Sequence, residues 1–132
     1  MKKQEPIWLL ERLVLAAHAR LLAAYGGPEG LRDIGLLQSA LARPRQHYTY
    51  GTPDIIELAA LYTAGVVRNH PFVDGNKRTG FAIGVAFLEL NGFVFQATEE
   101  DAIQAVFALA AGDLDDAGYA KWLRTNAKRR RK

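Results

Sequence analysis

His70-Pro71-Phe72-Val73-Asp74-Gly75-Asn76-Lys77-Arg78-Thr79-Gly80 gathers a histidine, a carboxylate, an amide, two cations and two glycines into eleven residues. Before it, Leu58 to Asn69 reads as a helix, and after it, Thr79 to Asn91 reads as another. The stretch is therefore a loop between two helices that ends on a helix N-terminus. Pro71 disfavours helical geometry at His70, so the incoming helix stops there and leaves the imidazole on irregular backbone. The outgoing helix begins with unpaired N–H groups and partial positive charge, a ready seat for an anion. Gly75 permits close backbone approach, and Asn76 is the expected N-cap. Lys77 and Arg78 then fall in the first turn, where each cation opposes the helix dipole by about 0.3–1 kcal/mol. Other helix starts in the chain are acidic: Asp54 with Glu57, Glu99 with Glu100 and Asp101, Asp115 with Asp116. A polyphosphate is the simplest anion that would repay such a violation.

Working outward, 132 residues suit a single domain with one core. Hydrophobic residues make up 49%, with Ala and Leu abundant, which favours helices over strands. The absence of cysteine excludes disulfides and thiolate-held metals. No long apolar run follows Met1-Lys2-Lys3-Gln4-Glu5-Pro6, so neither a signal peptide nor a membrane span is expected, and a cytoplasmic protein is the default. Much of the formal charge of +3 sits in Lys128-Arg129-Arg130-Arg131-Lys132. A basic tail without interleaved aromatics reads as a solvated end before it reads as a nucleic-acid site.

In chain order, Leu10, Leu13, Val14, Ala17, Leu21 and Ala24 form one apolar stripe and predict a first helix over Leu10–Ala24. His18 lies beside that stripe and reads as structural or superficial. A second helix spans Asp33–Arg43, capped by Asp33 and stopped by Pro44. Pro44 to Pro53 is a polar, aromatic loop, Arg45-Gln46-His47-Tyr48-Thr49-Tyr50-Gly51 at its centre. Thr52-Pro53-Asp54 opens a third helix, with Thr52 as cap and Pro53 at its first position. It pairs centrally with the fourth helix, where Phe81, Val85 and Leu88 face inward and Gly80 and Gly84 allow close approach; Phe72 buried between the two would pin the loop. Phe93-Val94-Phe95 is an extended bridge. Thr98 opens a fifth helix with Ile103, Val106, Phe107 and Ala110 inward, and the sixth, Asp115–Asn126, turns Tyr119, Trp122 and Leu123 to the core. The expectation is an all-α bundle of about six helices over residues 5–126, with a basic tail at 127–132.

For a nucleotide triphosphate across the fourth helix start, the N–H groups of Gly75, Asn76 and Lys77 would hold phosphate oxygens, and Arg78 would clamp them. Asp74, the loop's one acid, would make a single direct contact to Mg²⁺. His70 would take the proton of an attacking hydroxyl. Attack at the α-phosphorus transfers AMP; attack at the γ-phosphorus is a kinase reaction.

The stretch resembles the motif of the Fic/Doc superfamily, His-x-Phe-x-acid-Gly-Asn-Gly-Arg, and specifically its Doc branch, where a Lys replaces the second Gly as Lys77 does here. Gly26-Gly27-Pro28-Glu29-Gly30-Leu31-Arg32-Asp33, Leu36 to Pro44, and Phe87-Leu88-Glu89-Leu90-Asn91-Gly92-Phe93 are similar to Doc-like toxins as well. The resemblance implies a toxin kinase that uses ATP and Mg²⁺, has a threonine of elongation factor Tu as target, and arrests translation. The Pro44–Pro53 segment would be the family's flap. The inhibitory Ser/Thr-x-x-x-Glu-Gly/Asn motif of many Fic proteins has no match here, so a cognate antitoxin would act in trans by folding onto the toxin. Gly75 departs from the Ala of the best-known Doc form. An AMP-transferase, and a non-catalytic module that binds nucleic acid or a partner through its tail, stand as the other readings.

Overall fold

The computed structural model describes residues 5–131. Among them the chain forms α1 (Glu11–Tyr25), α2 (Ile34–Tyr50), α3 (Ile55–Asn69), α4 (Asn76–Leu90), β1 (Phe93–Phe95), α5 (Glu99–Ala111), α6 (Asp116–Thr125) and β2 (Ala127–Arg129). This is an all-α bundle with one small two-stranded ribbon, as the composition leads one to expect.

Helix α3 is the axis of the bundle. Ile56 and every residue from Leu58 to Val67 are buried, and a helix apolar on all sides has to be wrapped by others. α2, α4 and α6 supply that wrapping. The α3–α4 crossing is tight because Gly80 and Gly84 lack side chains: a Cβ on Gly80 would lie 3.0 Å from Val67 Cγ2, and one on Gly84 would overlap the Thr63 hydroxyl. That hydroxyl donates to the Gly80 carbonyl at 2.7 Å. Gly65 does the same service for α2, since a Cβ there would sit 3.0 Å from Ala40 Cβ. Asp116 on α6 accepts from Arg43 of α2 at 2.8 Å and pairs with Arg68 of α3, so one carboxylate ties three helices.

Several expectations are corrected. α2 does not stop at Pro44 but runs through it to Tyr50. A proline inside a helix costs roughly 3 kcal/mol, yet Leu37, Ala40 and Pro44 are all buried on one face. Tyr48 adds an edge contact to Trp8 at 5.5 Å. Of the stretch expected as a loop and flap, Pro44 to Pro53, the part up to Tyr50 is thus the last part of a helix. The cap of α3 is Asp54, not Thr52; Asp54 and Glu57 close a reciprocal capping box. On α1 only Val14 and His18 are buried, while Leu10 at its N-cap and Leu13 are 44% and 52% exposed, because α1 packs chiefly on α4, along one edge. On α5 the buried face is Ala102, Ala105, Val106 and Leu109, which leaves Ile103 and Phe107 about half exposed. On α4, Ile83, Phe87 and Leu88 are buried, while Phe81 and Val85 are only half-buried.

The ribbon gives the C-terminal residues a place. β1 pairs antiparallel with β2, Phe93 opposite Arg129 and Phe95 opposite Ala127. Arg129 lies over the Phe93 ring at 5.1 Å, and Arg130 donates from its side chain to the Glu89 carbonyl. The residues expected as a solvated basic end therefore begin as a strand; Lys132 lies outside the described residues. No helix among the described residues is long and apolar enough to cross a membrane.

Burial works against the charge of Asp54, but the Arg124 guanidinium at 2.9 Å and the Glu57 N–H outweigh it and hold the carboxyl below its ordinary 3.8. A folded-state value lower than the unfolded one stabilises at neutral pH, and the benefit is lost as the pH falls through the folded value. Asp54→Ala should therefore cost about 1 kcal/mol in urea unfolding at pH 7. The difference from wild type should narrow as the pH falls below 3.8. A gap that is constant across that range would contradict the assignment.

Candidate active site

The loop between α3 and α4 is held at most of its backbone groups. α3 ends on His70, whose φ of 55° makes it the sole non-glycine residue with positive φ among those described. That conformation costs a branched-Cβ-free L-residue roughly 1–2 kcal/mol. Arg32 offsets it: Nε donates to the His70 carbonyl at 2.8 Å and Nη2 to the Asn69 carbonyl at 3.0 Å. The N–H groups of Arg32 and Asp33 both reach the Pro71 carbonyl, and Val73 donates to Gly30. The α1–α2 connection, Gly26 to Asp33, is thus a strap across the motif loop.

Asn76 has a different role from the one expected. The N-cap of α4 is Gly75, in the left-handed region at φ 81°, and Asn76 is the first helical residue. Its side chain is 3% exposed and turns back into the loop. Oδ1 accepts from the Phe72 N–H at 3.0 Å; Nδ2 donates to the Phe72 carbonyl at 3.0 Å and faces His70 Nδ1 at 3.1 Å. The Phe72 N–H can only donate, which fixes the orientation of the amide. His70 Nδ1 therefore accepts, and the neutral imidazole carries its proton on Nε2. Only the backbone N–H of Asn76 is left for an anion.

That N-terminus is open. No side chain caps α4, and the first backbone bond onto it runs from Thr79 N–H to the Gly75 carbonyl. Lys77 and Arg78 are exposed, and neither has an ion-pair partner among the described residues. They rest on aromatic faces instead, Lys77 Nζ 5.4 Å from the Phe107 ring centre and Arg78 Cζ 4.1 Å from that of Tyr25. Asp74 lies against Gly27: a Cβ there would fall 2.5 Å from Asp74 Oδ2. Gly27 also has φ 122°, so both its backbone and the room beside it call for glycine.

His70, Asp74, Gly75, Asn76, Lys77 and Arg78 all line one cleft of about 800 Å³. Its charged end is the loop. Its apolar wall runs along α4 and α5 through Val85, Ile103 and Phe107. The described residues hold no group of three or more His, Cys, Asp or Glu side chains able to cage a metal. Asp74 alone suits an ion that arrives already bound to phosphate and keeps most of its water, as Mg²⁺ does.

Sequence reasoning missed His18, Arg32, Tyr25 and Phe107. His18 is 6% exposed, its Nε2 lies 2.8 Å from the Asp74 carbonyl, and its ring is stacked on Phe72 at 3.7 Å. The signal was its spacing of four residues from Val14, which places it on the buried face of α1. Arg32 carried no local signal, because its partners are 37 and 38 residues away.

Asn76→Asp keeps the shape and the acceptor but cannot donate to Phe72 or His70. It should lower stability by roughly 2–3 kcal/mol in urea unfolding, since a buried carbonyl loses its donor and a carboxylate replaces it. An unchanged midpoint would show that the amide does not pin the loop.

Two comparisons bear on this geometry. The chain matches the Fic/DOC family over residues 8–88. It is 46% identical over 72 residues to the toxin Doc of Mycolicibacterium smegmatis (strain ATCC 700084 / mc(2)155), an alignment that covers 52% of this chain and 55% of that protein. The match thus spans about half the length of the curated relative. The family match takes in α1 to α3, the motif loop and nearly all of α4, every element that builds the charged end of the cleft, and the chain belongs to the Fic/DOC family.

Proposed function

We propose that this chain is a Doc-like toxin that transfers the γ-phosphoryl group of ATP to a serine or threonine hydroxyl of a protein. One observation carries the reading: an imidazole stands beside an uncapped helix N-terminus whose two cations have no ion-pair partner among the described residues. The free N–H groups at the start of α4 bind phosphate oxygens, and Lys77 and Arg78 leave their aromatic rests to pair with them. Asp74 would hold Mg²⁺ jointly with the phosphates; the ion supplies charge neutralisation as the transferred group separates. The substrate oxygen forms a bond to the γ-phosphorus, the bond from that phosphorus to the bridging oxygen breaks, and ADP leaves. His70 accepts the hydroxyl proton and returns it to solvent.

The resting tautomer sets a condition on that step. With the proton on Nε2, the ring's one lone pair is at Nδ1 and faces Asn76. Nε2 is already protonated, so uptake can occur only at Nδ1, and it leaves an N–H there opposed to the amide N–H. His70 therefore gives up its contact with Asn76 as it acts as base.

Lys77 favours the γ-phosphoryl over the AMP reading, because an amine in place of the Gly of Fic proteins fills part of the phosphate seat. Gly75 does not argue the other way. Its left-handed φ suits glycine whatever group is transferred. The tail reading has less support still: Arg129 and Arg130 are engaged with Phe93 and Glu89. Elongation factor Tu is the expected acceptor from the Doc resemblance. A cognate antitoxin is the expected partner, and the half-exposed Ile103 and Phe107 offer it an apolar wall beside the site.

With γ-labelled ATP and Mg²⁺, the wild type should label elongation factor Tu. His70→Asn, which tolerates the left-handed backbone, should lose on the order of 10²–10⁴ of the rate. Label that arrives only from α-labelled ATP would replace the kinase reading with AMP transfer. No label on elongation factor Tu from either, with the protein folded, would remove that acceptor, and no label on any protein of a cell lysate would reject both reactions.

A further inference from the structure

The Asp74–Gly75 peptide unit is the part of the cleft most able to go wrong. Gly75 sits at φ 81°, and glycine crosses readily between backbone regions. A peptide unit is planar and trans, so its C=O and N–H point in opposite directions. Rotation of this one unit would swing the Asp74 carbonyl into the cleft and turn the Gly75 N–H away. A carbonyl dipole would then face any anion at the start of α4.

One side chain stands against that rotation. His18, in the middle of α1, is nine-tenths buried, and its Nε2 lies 2.8 Å from the Asp74 carbonyl oxygen. A carbonyl only accepts, so Nε2 carries the proton and donates. The ring plane is set by Phe72, stacked at 3.7 Å with 9° between planes. The α-carbon of Gly75 is packed on the same ring: a Cβ there would be 3.6 Å from both Cδ2 and Nε2. Phe72, Asp74 and Gly75 are thus all indexed against one imidazole that comes from a distant part of the chain.

We propose that His18 is a positioning residue: by holding the Asp74 carbonyl inward it aims the Gly75 N–H into the cleft, as a fixed donor to a bound phosphate. The proposal rests on the nucleotide reading above for the identity of the anion, but the contact itself can be tested without nucleotide.

The nucleotide-free test is a long-range ¹H–¹⁵N spectrum of the imidazoles in the full chain. Nε2 of His18 should carry a proton; an Nε2 without one overturns the proposal whatever the cleft binds. The second test is calorimetric titration of wild type, His18→Ala and His18→Gln with Mg-ATP. His18→Ala should weaken binding by about 10-fold or more, the scale of one charge-assisted hydrogen bond that loses its aim. His18→Gln keeps an N–H donor at this reach and should recover at least half of that loss on a logarithmic scale. Equal binding by wild type and His18→Ala, or equal loss in the two variants, contradicts a role in aiming the amide. Absence of uptake by the wild type defeats the nucleotide reading, and the anion role of His18 with it.

Discussion

The hydrogen bonds between the Asn76 amide and the backbone of Phe72 are the constraint on which the site depends. Phe72 is 1% exposed, and its N–H and C=O have no strand or helix to bond with. A buried backbone group left unpaired costs roughly 1–3 kcal/mol, so a loop that sinks an aromatic this deeply must bring its own partners. Asn76 provides both from four residues on, with a hydrogen to spare for His70. The loop can then end α3 with one left-handed residue, His70, and open α4 with another, Gly75. Those two turns set the imidazole and the helix N-terminus on the same cleft.

Around that knot the fold acts as a clamp from three sides. α3 and α4 meet closely through Gly80 and Gly84, which fixes the distance the loop must span. The strap before α2 holds His70 and Pro71 by their carbonyls through Arg32 and Asp33. α1 brings His18 onto Phe72 and Asp74. By contrast, Lys77, Arg78 and Asp74 are exposed, and the two cations rest on nothing stronger than aromatic faces. A rigid backbone carrying loosely held charges suits the proposed site, which would bind a phosphate chain, release it and do so again.

Much of this was legible in the sequence because it is local. Pro71 after His70 signalled a helix end, and the run of cations after Gly75 signalled a helix start that breaks the electrostatic habit of the others. The near absence of charge along α3 before Arg68 announced the central helix. What failed to show was what depends on partners far along the chain. Pro44 reads as a stop, but burial of its face against α3 carries α2 past it. Asn76 has the composition of a cap, and only the depth of Phe72 turns its side chain inward. Ile103 and Phe107 have the spacing of core residues, yet α5 buries the neighbouring alanine face and leaves them on the wall of the cleft. Hydrophobic periodicity reports that a face is apolar, not whether the protein or a ligand covers it.

A nucleotide whose phosphates seat on the start of α4 must perturb the amides there. The most direct check is a ¹H–¹⁵N amide spectrum of the full chain titrated with Mg-ATP. The N–H signals of Gly75, Asn76, Lys77 and Arg78 should shift together and saturate at one affinity, while those of the β1–β2 ribbon stay in place. Saturable shifts confined to other elements, or none anywhere in the cleft, would contradict it.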